Sequence, residues 1–337
     1  MREKNPRSNI HCILHNYRSQ SVVLDGLSSE PIPVTSGVPQ ELVLGPLLFI
    51  AYINDLPQNL TSKVRLFADD TAVYLTLNSV EDSETLQNDL QLLEKWEEDW
   101  DMEFNPSKCQ VVHVTRLQNP FPSQYFLHNT LLQAVTSAKY LGVDISEDLS
   151  WGTHIDRVTK KANQTLGFLR RNIKVKSEKL KSTAYKTLVL PQLEYCSEVW
   201  SPHTTDHIEQ LEAVQRRAAR WVKSDYGRKS SVIDMLQSLG WRRLDQRRTD
   251  SRLIMLYKIK DEMVAIPIDG NLSRNIRQSR HSHPLAYKLI TATTDYYKYS
   301  FFPRSIFHWN RLPAHIPSLP TMERFSAAVG CIEHACP

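Results

Sequence analysis

Between residues 81 and 103 apolar side chains return every three to four positions. Leu86, Leu90, Leu93 and Trp100 trace one stripe of an amphipathic helix. Glu81, Asp82 and Glu84 fall in its first turn, where the helix dipole favours negative charge. Upstream, Ser21–Leu24 and Pro31–Thr35 are extended runs on either side of an Asp25-Gly26 turn, which predicts a hairpin. Ser36-Gly37-Val38-Pro39-Gln40 reads as a loop. Gly45-Pro46 opens an apolar helix with Leu47, Leu48 and Tyr52 at near-helical spacing, closed by Asn54-Asp55-Leu56-Pro57. Val64–Ala68 and Thr71–Leu77 predict strands flanking Asp69-Asp70, and Gln110–Thr115 and Tyr140–Ile145 predict further strands. From Trp151 the period becomes helical, over 153–171, 177–190, 204–223 and 241–260, with short Pro, Ser or Gly breaks. The tail from residue 261 reads as irregular and is rich in Tyr, Pro and His. The pattern predicts an α+β chain in the regions 1–150, 151–260 and 261–337, without internal repeats.

Composition is that of an ordinary globular chain, with 41% hydrophobic and 23% charged residues, which excludes disordered and fibrous classes. Ten glycines leave little room for long flexible linkers. Charge changes the picture more. Residues 1–150 hold 10 Lys and Arg against 20 Asp and Glu, whereas residues 151–260 hold 23 against 11. An acidic part followed by a basic one predicts separate tasks, metal binding and then polyanion binding; a split of solvated charges is the plainer reading. The five cysteines, Cys12, Cys109, Cys196, Cys331 and Cys336, form no CxxC pair, so neither a disulfide framework nor a zinc site is read. Cys331, His334 and Cys336 crowd together without a fourth ligand. Met1 to Arg18 has charges but no long apolar core, and the apolar run Leu44–Ile53 is too short to cross a bilayer. The expectation is a soluble intracellular protein without a membrane partner or a disulfide-linked one, whether nuclear or cytoplasmic.

The chemistry centres on Phe67-Ala68-Asp69-Asp70. Two adjacent carboxylates at the tip of a tight hairpin form a compact pair of hard oxygen ligands, the donors that Mg²⁺ prefers beside waters and phosphates. Two such ions clamp the attacking and leaving oxygens in phosphoryl transfer. Taken alone, an Asp-Asp dipeptide is more often a solvated turn.

Its flanks decide the matter. Ser36–Gln40, Leu44-Gly45-Pro46-Leu47-Leu48-Phe49, Tyr52-Ile53-Asn54-Asp55-Leu56-Pro57, Phe67–Asp70 and Phe104-Asn105-Pro106-Ser107-Lys108-Cys109 occur in this order. Tyr140-Leu141-Gly142-Val143, Leu193-Glu194-Tyr195, Gln215-Arg216-Arg217-Ala218-Ala219-Arg220 and Phe301-Phe302-Pro303-Arg304 follow. Together they resemble the reverse transcriptases of non-LTR retrotransposons of the jockey and CR1 kind, from about residue 13 to about 315. The resemblance implies a truncated polymerase palm, an antiparallel sheet with helices, followed by a mainly helical thumb-like region and a C-terminal region. It implies RNA-directed DNA synthesis with two Mg²⁺ ions, deoxynucleotides, an RNA template and a DNA primer. Asp69 falls on the essential metal ligand and Asp70 on its neighbour. Ser36, Gly37, Pro39 and Gln40 fall on the loop that meets template and nucleotide, and Asn105 on the block after the long helix. Lys108 falls where a lysine helps neutralise or protonate the leaving pyrophosphate. Tyr140, Leu141 and Gly142 fall near the hairpin that grips the primer end. The family's third carboxylate belongs to an upstream F-x-D-x-x-x-A-F-D segment, which the roughly 35 residues before the loop do not contain. Glu41-Leu42 stands where the family has Gly-Ser. These departures predict a chain inactive alone.

The basic second half suits a nucleic-acid backbone, since phosphate contacts are charge-driven. Arg216, Arg217, Arg220, Arg242, Arg243, Arg247 and Arg248 are the candidates; a solvated basic face on a helical bundle is the bland alternative. Trp221 and Trp241 read as core, Tyr296, Tyr297 and Tyr299 as packing, and His203, His207, His281 and His283 as surface or loop residues without ligand spacing. Two rivals to the polymerase reading stay open, a non-catalytic nucleic-acid-binding remnant and an open reading frame without function. A glycosyltransferase would need alternating strands and helices, which this chain lacks.

Overall fold

A computed structural model describes residues 19–33, 44–100, 102–115, 117, 123–268, 270–275 and 283–334. The chain is α+β and divides into two compact units. The first runs to Val111 and takes in the residues up to Val135; the second holds 112–115 and everything from Thr136.

In the first unit β1 (Ser19–Gln20) pairs with β4 (Ile32–Pro33), and β2 (Val23–Leu24) with β3 (Leu27–Ser28). Asp25 and Gly26 both take positive φ, 49° and 81°, the type I′ geometry that matches strand twist. The expected hairpin is therefore present, with its return strand starting directly after the turn. α1 (Leu44–Ile53) follows, then β5 (Lys63–Phe67) and β6 (Asp70–Tyr74) in antiparallel register, and α2 (Val80–Trp100).

α2 organises this unit. Its first turn is capped by Asp82, whose Oδ2 accepts from the amides of Asn78 at 2.7 Å and Ser79 at 3.0 Å. Farther along, Asp89 is buried and accepts from the amides of Thr61 at 3.1 Å and Ser62 at 2.6 Å. Those bonds fix the residues that enter β5, so the helix positions the carboxylate hairpin through its neighbour strand. On its other side Gln87 clamps Phe126, donating to its carbonyl at 3.0 Å and accepting from its amide at 2.8 Å. Phe126 begins β8 (Phe126–Leu127), paired with β9 (Thr130–Leu131). Tyr125, Leu127 and Leu132 form a small core with Leu86, Leu90 and Phe104. The strand expected over Gln110–Thr115 shortens to β7 (Gln110–Val111), which runs parallel to β10 (Gln133–Ala134).

The second unit opens with β11 (Ser137–Tyr140) and β12 (Val143–Ser146), a hairpin where a single strand over Tyr140–Ile145 was expected. The helices are α3 (Gly152–Asn172), α4 (Glu178–Leu188), α5 (Leu190–Glu194), α6 (Ser197–Trp200), α7 (Thr205–Lys223), α8 (Val232–Ser238) and α9 (Leu244–Lys260). α3, α4, α7 and α9 match the four predicted spans closely, whereas the short α5, α6 and α8 were not predicted. Ser177 and Ser231 cap α4 and α8 by accepting from Leu180 and Asp234 amides at 3.3 and 3.2 Å. Ala162 and Ala218 are fully buried in the core that α3 and α7 share with Ile155, Leu166, Leu211 and Trp221. The tail is more regular than its sequence suggested, with α10 (Asp295–Lys298), α11 (Phe301–Trp309) and α12 (Met322–Val329). Ile306, Trp309, Phe325 and Val329 build a second core on Leu253, Leu256 and Tyr257 of α9. No helix among the described residues is long and apolar enough to cross a membrane.

Candidate functional site

The register Phe67↔Asp70 leaves Ala68-Asp69 as the two turn residues, so Asp70 is the first residue of β6 and not part of the turn. Ala68 has φ 50°, and Asp69 does not share the positive sign. The hairpin thus has positive φ at its first central position only, a place that favours glycine. Ala there costs about 1–2 kcal/mol. Such strain persists only where the surroundings hold it and is concentrated at functional sites. Val64 and Leu66 of β5 are half-buried and hold the ribbon, while Asp69 and Asp70 are exposed at its end. The donors are chemically right for Mg²⁺. Among the described residues no group of three His, Cys, Asp or Glu is gathered to hold a metal, so the two carboxylates stand without a third donor.

Ser36, Gly37, Pro39 and Gln40, with Glu41 and Leu42, lie outside the described residues. Asn105 and Lys108 are exposed at the short 3₁₀ turn Pro106–Lys108. The Asn105 Oδ1 accepts from the Ser107 amide at 3.1 Å and the Ser107 hydroxyl at 2.6 Å. Its acceptor is therefore engaged in capping the turn that presents Lys108. Cys109, just beyond, has its thiol pushed up by burial and by the charge of Glu97.

In the second unit Leu141 and Gly142 are the turn of the β11–β12 hairpin, with φ 46° and 85°. Helical residues hold that turn. The Tyr195 hydroxyl donates to the Leu141 carbonyl at 3.0 Å, and Arg157 Nη2 donates to the Gly142 carbonyl at 2.7 Å. Arg157 also pairs with Asp144, whose amide donates to the buried His154 Nδ1 at 3.2 Å. Burial lowers the His154 pKa, as does Arg157, so the ring is neutral and acts as acceptor. Sequence reasoning missed His154, Arg157 and Tyr195 as supports of this hairpin. The signal available was His154 and Arg157 at (i, i+3) on one face of α3.

The predicted basic residues divide. Arg216 pairs with Glu209 at 2.8 Å, and Arg217 donates to Asn163 at 2.5 Å. Arg220 donates to the Gly227 carbonyl at 3.2 Å, and Arg243 forks onto Asp245 at 3.1 and 3.0 Å. Arg247 forks onto Glu194, and Arg242 bridges Asp250 and the Ile332 carbonyl. Arg248 is 1% exposed, without a hydrogen-bond partner at any guanidinium nitrogen. Burial lowers its pKa against the pull of Glu212. A phosphate cannot reach it, which corrects its place among the backbone contacts. α9 turns Leu244, Arg248 and Arg252 inward at (i, i+4, i+8), so the charge pattern there was not a surface pattern.

Residues 4–145 match the family model described as reverse transcriptase (RNA-dependent DNA polymerase). That span carries the whole Asp69–Asp70 hairpin. Over it, the chain is similar to reverse transcriptases. Similar proteins extend the likeness into the helical unit. The probable RNA-directed DNA polymerase from transposon X-element of Drosophila melanogaster is 30% identical over 199 residues, covering 56% of this chain and 22% of that protein. The RNA-directed DNA polymerase from mobile element jockey of the same species is 28% identical over 217 residues, 60% of this chain and 23% of the relative. Its Drosophila funebris counterpart is 31% identical over 221 residues, with the same coverage. The relatives are non-LTR retrotransposon polymerases, and the matched part is under a quarter of their length.

Proposed function

We propose that this chain supplies the carboxylate hairpin of a polymerase palm and a helical, thumb-like region to an RNA-directed DNA polymerase of a non-LTR retrotransposon. The observation that carries the reading is the adjacent pair Asp69, in a strained two-residue turn, and Asp70, the strand residue directly after it, inside the family-matched segment. Asp69 and Asp70 hold Mg²⁺, with Asp69 the principal ligand. When bound, the cation offsets negative charge gathering on the transferring phosphoryl group. Lys108, presented by the capped turn, neutralises or protonates the departing pyrophosphate. Asn105, its oxygen committed to the cap, has its amide hydrogens left for a nucleotide or template. Ser36, Gly37, Pro39 and Gln40 meet template and nucleotide, and Tyr140, Leu141 and Gly142 lie under the primer end. The partners are an RNA template, a DNA primer and deoxynucleotides.

The test uses the purified chain with a primed RNA template and Mg²⁺, beside Mn²⁺ binding followed by electron paramagnetic resonance. Asp69→Ala abolishes any extension, and Asp69→Ala/Asp70→Ala removes the bound Mn²⁺ signal. Mn²⁺ binding that is indifferent to the double change would overturn the reading. A second reading, nucleic-acid binding without synthesis, is favoured by Glu41-Leu42 in place of Gly-Ser, since a Glu adds bulk and negative charge beside a polyphosphate. It predicts no extension and steeply salt-dependent RNA binding.

A further inference from the structure

The arginines engaged in internal pairs leave most of the helical unit's positive charge unexplained. Between Arg157 and Lys186 stand ten Lys and Arg against one Glu. Arg170 and Arg171 end α3, Lys174 and Lys176 lie in the connection to α4, and Arg228 and Lys229 lie in the loop after α7. All six are exposed. Among the described residues none of the six has a carboxylate partner.

Side-chain contacts bring these segments to one end of the unit. The Arg170 guanidinium sits over the Tyr226 ring, 5.7 Å from its centroid. Lys223 at the end of α7 pairs with Glu178 at the start of α4 at 2.8 Å. Lys181 of α4 donates to the Trp221 carbonyl at 3.2 Å and the Ser224 hydroxyl at 2.7 Å. Two acids share this end, and both are engaged. Glu178 holds Lys223, and Asp225 accepts from the Gly227 amide at 2.9 Å and the Ser230 hydroxyl at 2.7 Å. The C-terminal dipoles of α3 and α7 account for cations in the last helical turns. They do not account for Lys174, Lys176, Arg228 and Lys229, which stand in connecting segments. Beside these cations, with Arg170 over it, the Tyr226 ring is still 55% exposed and so within reach of a base.

We propose that this end of the helical unit is a binding site for single-stranded nucleic acid. Its exposed cations take successive phosphates, and Tyr226 stacks on a base. The proposal rests on the reading above that the chain works on nucleic acid, but it is independent of the carboxylate hairpin. Unpaired bases present the π faces that an aromatic can use; a duplex hides them.

The experiment titrates the full chain against a labelled oligouridine and a blunt RNA duplex of equal length at several salt concentrations. Lys174→Glu/Lys176→Glu/Lys229→Glu lowers oligouridine affinity by about tenfold or more and flattens the salt slope by about two, at roughly 0.7 per lost phosphate contact. The equal charge change in Lys95→Glu/Lys288→Glu/Lys298→Glu leaves both close to the parent. Tyr226→Ala weakens oligouridine binding roughly fivefold or more and spares the duplex. A failed metal reading shows in Mn²⁺ binding and not in this titration. Equal losses in the two triple variants, a preference for the duplex, or a silent Tyr226→Ala would overturn the proposal.

Discussion

Replacing Gly142 by Ala tests how the helical unit holds the β11–β12 hairpin. Gly142 has φ 85°, where an L side chain costs about 1–2 kcal/mol. A Cβ there would also lie 3.1 Å from Tyr195 Cε1, so the ring must move by a few tenths of an ångström. The Tyr195 hydroxyl donates to the Leu141 carbonyl at 3.0 Å, and displacing the ring weakens that bond, worth about 1 kcal/mol. Gly142→Ala should therefore destabilise the chain by roughly 2–3 kcal/mol, measured as a shift of the urea midpoint at constant slope. In a Tyr195→Ala background the steric and hydroxyl parts vanish, and the cost falls to about 1–2 kcal/mol. The coupling between the two sites is then about 1 kcal/mol. A cost below about 0.5 kcal/mol in the parent, or an equal cost in both backgrounds, would refute the argument.

Other outcomes follow from particular contacts. Asp89→Ala leaves the Thr61 and Ser62 amides without their charged acceptor and should cost about 2–4 kcal/mol by urea unfolding; the same substitution should loosen the entry to β5 and lower Mn²⁺ affinity. Arg248→Met should leave RNA affinity and its salt slope unchanged in the oligouridine titration, because no phosphate reaches a side chain that is 1% exposed. Burial, helped by Arg252 and Arg304, pushes His308 down to about 3 from the ordinary 6.5. The folded state then excludes a proton that the unfolded chain accepts, so this stability is complete above about pH 6.5 and is lost as pH falls towards 3. Between pH 7 and pH 5 the loss is about 2 kcal/mol, and His154, also lowered by burial, adds in the same direction. Comparing unfolding of the parent and His308→Gln at both pH values checks this; identical pH dependence would rule it out.

Where one face is dry and the other wet, the elements could be read from residue spacing. α2 shows this: Leu86, Leu90 and Leu93 recur on its core side, and Asp82 caps its start. α9 shows the opposite. It is buried on several sides, so Arg248 and Arg252 face inward beside Leu244, and spacing alone assigns them wrongly to water. Residue pattern alone missed the β11–β12 hairpin, which only the family resemblance indicated, because Leu141 takes positive φ, a conformation that a leucine does not advertise. α11 was hidden by Pro303, which is tolerated in a first turn whose amides have no helical acceptor anyway. At the candidate site the carboxylate pair was plain in the sequence, whereas its true turn, Ala68-Asp69, needed the pairing register. The engagement of Asn105 in a cap likewise depends on local geometry that residue identity does not fix.

α9 has a consequence for how the second unit comes apart. Leu244 at its start belongs to the core built with α3 and α7, while Leu253, Leu256 and Tyr257 at its end belong to the core built with α11 and α12. One rigid rod is thus a common wall of two hydrophobic compartments. Fraying either compartment strips apolar cover from the helix that the other also needs, so the two melt cooperatively instead of in stages. Residues 301–329 are then a cooperative partner of the helices before them, and a protease that nicks the tail should release the whole unit to digestion rather than trim it.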